Sequence, residues 1–101
     1  MPFRVEVTAV ARSDLDKMRM SDQRLVVEAI ERHLVHQPLE PTRNRKRLDA
    51  LRPGFAHNPP VWELRVRDYR VFYDVDEPGE VVFVRAIRFK SSRQTTQDII
   101  A

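Results

Sequence analysis

Two arginines and a glutamate in the run WELRVRDYRVFYDV are spaced so that they could bind a phosphate group. If the chain turns tightly at Arg67 and Asp68, Arg65 and Arg70 lie directly opposite each other on adjacent antiparallel strands. Like charges in that position destabilise a sheet by up to roughly 1 kcal/mol, so an anion between them would explain the pairing. Glu63 falls on the same face, where its carboxylate is either a general base or the counterion of the guanidinium groups.

A second group of cations lies in a proline-bounded segment that we predict to be an irregular loop. Four of its residues are basic within a stretch of five, namely Arg43, Arg45, Lys46 and Arg47. Flexible cations suit a phosphate backbone, and each contact to a single strand contributes a slope of about −0.7 to the salt dependence of binding. The alternative is a charge run that is only solvated.

The last predicted strand ends in further basic residues, Arg85, Arg88 and Lys90, which would lie close to the hairpin in an antiparallel arrangement. A flexible ammonium at Lys90 could reach a transferred phosphate, although an edge lysine that opposes aggregation is the alternative. We therefore predict a catalytic group of Glu63, Arg65, Arg70 and Lys90. The predicted nucleic-acid-binding residues are Arg43, Arg45, Lys46, Arg47, Arg67, Arg85 and Arg88.

The histidines do not predict a metal site. His33 and His36 have a spacing that can place two imidazoles near one metal, but no third ligand is fixed nearby by the sequence. The remaining histidine, His57, lies in the predicted loop. We expect neither a metal nor a small-molecule cofactor.

Hydrophobic periodicity indicates the elements that would position these side chains. The alternation of apolar and polar residues predicts a strand at residues 3–7. A capping-box pattern at Ser13 predicts the start of a short helix. A repeat of Val26, Ile30 and Leu34 predicts a longer helix over residues 22–36. The two helices would form a helical hairpin.

The second half of the chain is predicted to be mostly strand. Residues 38–60 contain five prolines and indicate an irregular connection, with one helical turn near residues 48–51. Alternation over residues 62–75 predicts two strands, and the apolar run at residues 81–87 predicts a buried central strand. The expected class is α+β, with an N-terminal strand, a helical hairpin and a three-stranded antiparallel meander. The helices would pack on one face of the sheet and leave the other face free.

Composition limits the class of protein. The chain has 101 residues, enough for a single domain at residues 1–101, and its 42% hydrophobic and 33% charged residues are typical of a globular protein. It has no cysteine, which excludes disulfide frameworks and thiol nucleophiles and favours a cytoplasmic location. Because no apolar run approaches the roughly 18 residues of a membrane span, secretion and membrane insertion are disfavoured.

Positive charge is concentrated in the middle of the chain. Residues 41–70 carry eight basic and three acidic side chains, whereas each flanking region has a net charge of −1. Fifteen of the 18 basic residues are arginine, which binds phosphate bidentately and stacks on bases. A polyanionic partner is favoured, the alternative being a GC-rich genome that encodes arginine by default.

The run WELRVRDYRVFYDVD, preceded by TRNRKRL and followed by VVFVRAIRFK, resembles the RelE/ParE toxin superfamily of bacterial toxin–antitoxin modules. The resemblance covers nearly the whole chain and implies a RelE-like fold and a cognate antitoxin protein as partner. Members on the RelE side are ribosome-dependent endoribonucleases that cut messenger RNA in the ribosomal A site. Members on the ParE side inhibit DNA gyrase.

The RelE pattern implies roles for three residues of this chain. Arg70 matches the arginine after the hairpin tyrosine, Arg65 the basic residue of the preceding strand, and Lys90 the basic residue after the last strand. Glu63 stands where the pattern has another basic residue, and the C-terminal catalytic tyrosine would fall near Thr96, where there is no tyrosine. The resemblance therefore implies a translation-inhibiting endoribonuclease, with a gyrase inhibitor or an inactive antitoxin-binding relic as the alternative.

Overall fold

A computed structural model describes residues 2–101 of the protein. Within that range the chain forms five strands and three helices in the order β1 (Arg4–Val7), α1 (Ala9–Asp16), α2 (Met20–Leu34), β2 (Arg45–Leu48), β3 (Val61–Val66), β4 (Tyr69–Asp76), β5 (Val81–Phe89) and α3 (Thr96–Ile100). The predicted α+β class and the antiparallel meander, β3 to β5, are confirmed. None of the helices in residues 2–101 has the length and apolar character needed to cross a bilayer.

The strands form one mixed sheet in the order β1-β5-β4-β3-β2. The nine residues of β5 pair antiparallel with β4 along their length, but β1 pairs in parallel only with Val81–Val84. The last strand is predicted to be central, but β4 is the middle strand, and β5 lies between two strands only over Val81–Val84. From residue 84 onward, α1 and its N-cap lie along the edge of β5. Thr8 Oγ1 donates a hydrogen bond to Val84 O, and Asp14 accepts one from Ile87 N.

The prediction of an irregular segment with a helical turn near residues 48–51 is wrong at its centre, where Arg45–Leu48 forms the edge strand β2. This strand has no apolar alternation, and it forms because its backbone pairs with β3, with Arg45 opposite Leu64 and Leu48 opposite Val61. The Arg45 side chain is buried and donates to the carbonyls of Glu40 and His33. Tertiary hydrogen bonds therefore replace the hydrophobic pattern that identifies most strands.

The first helix starts earlier than its sequence signal. Thr8 is the N-cap of α1, its hydroxyl accepting from Ala11 N, and the predicted start at Ser13 lies inside the helix. The Ser13 signal is wrong because the helix already begins at Thr8, whose hydroxyl caps one amide of the first turn. The second helix, Met20–Leu34, contains the predicted repeat and ends two residues before the predicted boundary at 36.

Two hydrophobic cores lie on opposite faces of the sheet. The helical face packs against α1 and α2 through Leu15, Val26, Ala29, Ile30, Leu34, Trp62, Leu64, Val66, Val71, Tyr73, Val82, Val84 and Ile87. The second face has a smaller core of Leu48, Val61, Phe72, Ala86, Ile99 and Ile100, against which Leu51 and Phe55 pack. The expectation that this second face is free is therefore wrong, because α3 and the segment 49–60 cover part of it.

A buried ion pair anchors the covering segment to the second face. Asp74, only 2% exposed, accepts two hydrogen bonds from Arg85, at 2.7 Å from Nε and 3.1 Å from Nη2. The same carboxylate accepts from Asn58 N at 2.9 Å. One acidic side chain thus fixes both a β5 arginine and the backbone of the connecting segment.

Replacing Asp74 with alanine is expected to lower the free energy of unfolding by about 3 kcal/mol, because Arg85 would be left as an unpaired buried charge. Urea unfolding followed by circular dichroism measures this change. Asp76→Ala is the matched control, since Asp76 is an exposed carboxylate on the same strand and its loss should change stability by less than about 0.5 kcal/mol. Similar effects of the two substitutions would contradict the anchoring role.

Candidate nucleic-acid interface

Three arginines form a row across the second face of the sheet. Arg65 on β3 pairs with Arg70 on β4, which in turn pairs with Arg88 on β5. The predicted opposition of Arg65 and Arg70 is confirmed, and Arg88 extends it by one strand. Three like charges side by side raise the electrostatic energy of the sheet unless carboxylates or a bound anion compensate them.

Arg70 is the buried member of the row, with a residue exposure of 8%. Its Nη1 donates to the carbonyls of Arg67 at 2.6 Å and Tyr69 at 2.9 Å, and its Nε lies 4.0 Å from a Glu63 oxygen. Burial lowers the pKa of Arg70, and repulsion from the Arg65 charge lowers it further. Arg70 is therefore a fixed charge beneath the surface, held mainly by the turn that precedes it.

Arg88 and Arg65 differ in how their charges are compensated. Arg88 Nε lies 3.3 Å from Asp14, and its guanidinium lies over the Phe55 ring at 5.6 Å from the centroid. Arg65 is exposed and, within residues 2–101, takes part in no ion pair. The uncompensated charge of the row is thus presented to solvent by Arg65.

The Glu63 carboxylate is shared by side chains from three elements. One oxygen lies 3.8 Å from Lys46 Nζ on β2, and the other is 4.0 Å from Arg70 Nε and accepts from the Thr96 hydroxyl of α3 at 3.4 Å. The residue is 3% exposed. Of the two roles left open by the sequence, these contacts favour the counterion, because a general base must reach its substrate.

The four cations of the basic run point in different directions. Arg45 is buried against α2, and Arg47, opposite Trp62, forms an ion pair of 2.6 Å with Asp49. Lys46 is on the second face opposite Glu63, and Arg43 is exposed in the turn before β2. The strand alternation of β2 thus divides the run, and only Lys46 lies beside the arginine row.

The remaining predicted cations lie at opposite ends of the second face. Arg85 is held by Asp74 in the ion pair described above, with 15% of its side chain exposed. Arg67 is exposed in the β3–β4 turn, and Lys90 reaches the same end because its backbone N–H donates to Asp68 O at 2.7 Å. We name Lys46, Arg65, Arg67 and Lys90 the cationic edge, since these four residues surround the hairpin end of the second face.

Sequence reasoning did not identify three of the contacts that shape this surface. Thr96, Lys46 and Asp14 each meet a charged residue of the second face through tertiary contacts with Glu63 or Arg88. Thr96 and Asp14 are distant along the chain from their partners, so no local spacing signals their roles. Lys46 is a predicted nucleic-acid-binding residue, but its pairing with Glu63 depends on strand β2, which the sequence does not predict.

The site has the character of an anion-binding surface. Within residues 2–101, no three histidine or acidic side chains are grouped so that they could hold a metal ion. His33 lies 3.5 Å from an Arg45 nitrogen, and burial followed by the Arg45 charge lowers the pKa of its imidazole. The cations of the edge can bind phosphate oxygens, and Arg65 can do so bidentately.

Comparisons with known proteins identify the family. A chain of the RelBE2 toxin–antitoxin complex from Mycobacterium tuberculosis aligns over 89% of this chain and 100% of its own length, with 25% identity and a TM-score of 0.68. A chain of the archaeal RelE–RelB complex from Pyrococcus horikoshii OT3 aligns over 93% and 100%, with 18% identity and a TM-score of 0.67, and so shares the fold. No curated protein matches. The family model described as the ParE toxin of the type II toxin–antitoxin system parDE matches residues 5–92, and the chain belongs to this family, within the RelE/ParE toxins.

Proposed function

We propose that this type II toxin inhibits translation as a ribosome-dependent endoribonuclease of messenger RNA, acting in the cytoplasm. The observation that carries the proposal is the uncompensated charge of Arg65, exposed at the end of a row whose other two arginines have carboxylate neighbours. A phosphate of a single RNA strand would complete the row. The adjacent cations Lys46 and Arg67 would contact neighbouring phosphates and orient the strand.

The proposed reaction is transfer of a phosphoryl group within the RNA chain. The 2′-oxygen forms a bond to phosphorus and loses its proton to a base, while the bond to the 5′-oxygen breaks and that oxygen takes up a proton. Arg65 would stabilise the charge of the pentavalent phosphate, with Arg70 held behind it. Lys90 can donate the proton to the leaving oxygen. Glu63 can serve as the base only if its carboxylate, which now contacts Lys46, Arg70 and Thr96, becomes accessible to the RNA.

A non-nuclease toxin is the second candidate, and the burial of Glu63 favours it. Both carboxylate oxygens already have partners, and the segment around Thr96 offers no tyrosine to replace them. A surface that binds without cutting would fit a gyrase inhibitor, in keeping with the ParE family description, or an inactive relic that binds only its antitoxin.

The proposed partner in either case is a cognate antitoxin. The structurally similar chains come from toxin–antitoxin complexes, and the excess of basic residues at positions 41–70 favours an acidic inhibitor. Such a segment would be partly disordered until it docks, and opposite charges would speed its association. No membrane and no small-molecule cofactor enters the proposal.

Arg65→Ala is expected to abolish growth arrest on expression while leaving the protein at least as stable as the wild type. The substitution removes a phosphate ligand, but it also removes a charge opposed to Arg70, so stability should rise by a few tenths of a kcal/mol. Growth curves and thermal unfolding measure the two effects. Arg12→Ala, an equal charge change at an exposed position on α1, should leave toxicity unchanged. Full toxicity of the Arg65 variant would refute the proposed site.

The nuclease and its alternative differ in which macromolecule is damaged after induction. The nuclease predicts new 5′ ends in translated messages, seen by primer extension, that disappear when initiation is blocked. Loss of plasmid supercoiling with intact messages would instead support gyrase inhibition. Intact message and normal supercoiling, with retained antitoxin binding, would identify the relic.

A further inference from the structure

A cavity of about 670 Å³ opens on the second face where its small core ends, at Leu48 of β2 and Val61 of β3. Its apolar walls are completed by Leu51, Pro53, Pro59 and Pro60, and its polar lining consists of Asp49, Arg52 and His57. A cleft of this size that combines apolar walls with a few polar groups is typical of a ligand site. The proposed cleavage does not use this cavity.

The wall of the cavity is held in place by contacts to the sheet and to α3. Asn58 N donates to Asp74 at 2.9 Å, and Gly54 N donates to Ile100 O at 2.6 Å. Between these anchors the Phe55 ring packs on Phe72, with centroids 5.8 Å apart. A wall fixed at three points is preorganised, which lowers the entropic cost of binding.

The polar groups of the cavity have free hydrogen-bonding capacity. His57 Nδ1 lies 2.8 Å from Phe55 O, so this nitrogen must donate, and Nε2 of the neutral ring is left as an acceptor. Arg52 is exposed and takes part in no ion pair within residues 2–101. The charge of Asp49 is balanced by Arg47 at 2.6 Å. The cavity thus presents a planar cation and a planar acceptor beside apolar walls.

The cavity lies close to Lys46 of the cationic edge. Leu48, on its wall, is two residues from Lys46 on the same face of β2, a separation of about 7 Å. A single RNA strand that lies along β2 and β3 would therefore pass from Arg65 over Lys46 to the mouth of the cavity. Single-stranded RNA is recognised by unstacked bases that pack on arginine or histidine planes and form hydrogen bonds through their edges.

We propose that this cavity receives one nucleobase of the RNA strand whose phosphates contact Lys46 and Arg65, an inference that rests on the proposed RNA-binding function. Arg52 packs on the base or donates a hydrogen bond to it, and His57 accepts a hydrogen bond from the edge of the base. The leucine and proline walls exclude water from the face of the base. An apolar side chain of a protein partner would fill the same volume, but the net positive charge around the mouth favours an anionic strand. The cavity would then contribute base preference, which the cationic edge alone lacks.

The test uses the 101-residue chain and compares binding of a ten-nucleotide RNA with binding of an equally long strand that has abasic sites. Arg52→Ala and His57→Ala should each weaken binding of the RNA about tenfold and leave the abasic strand within twofold. Arg65→Ala should weaken both strands alike, because it removes a phosphate contact. Arg12→Ala is the control of equal charge change, and thermal unfolding confirms that each variant is folded.

The outcomes separate this inference from the function on which it rests. Equal losses for both strands in the Arg52 and His57 variants, or no loss for either, would overturn the base-binding role while leaving RNA binding in place. Failure of the wild type to bind either strand would overturn the inference, whereas the proposed function is decided separately by the cuts in translated messages. Weaker binding of an antitoxin peptide, with RNA binding unchanged, would assign the cavity to the protein partner instead.

Discussion

The register of the β3–β4 hairpin is the constraint on which this surface depends. A slip of one residue between β3 and β4 would turn one strand over, so that either Arg65 or Arg70 would face the helical core and either Leu64 or Val71, both fully buried, would leave it. The register is thus specified by the hydrophobic core of the helical face. This register places the two arginines opposite each other. Other contacts offset the electrostatic repulsion between them.

Part of that compensation lies in the hairpin turn itself. Arg67 has a φ of 53°, a left-handed conformation that costs a residue with a side chain on the order of 1 kcal/mol. Its carbonyl accepts from the Arg70 guanidinium at 2.6 Å, a charge-assisted hydrogen bond that stabilises the turn. Arg70 therefore has a structural task in addition to its charge. Arg70 stabilises the turn, whereas Arg65 is available to bind a ligand.

Local patterns were sufficient to predict the meander, and with it the arginine pair, because alternation over residues 62–75 determines which side chains share a face. The strand β2 could not be predicted in the same way, since RKRL has no apolar alternation and depends on Leu64 and on hydrogen bonds from Arg45 to α2. The burial of Glu63 was also hidden, because it needs Thr96, 33 residues away. Both features depend on contacts between residues that are distant in the sequence, and local patterns therefore cannot predict them.

Contacts on the second face connect the sheet, the segment 49–60 and α3. Asp74 holds the segment around Asn58, and the same segment binds the end of α3 through Gly54 N and Ile100 O. The approach at Gly54 is so close that a Cβ there would lie 2.7 Å from the carbonyl carbon of Ala101, so glycine is required for α3 to dock. The first residue of α3, Thr96, in turn covers Glu63. A series of direct contacts thus connects the buried Asp74–Arg85 ion pair at one end of the sheet face to the Glu63 carboxylate at the other end.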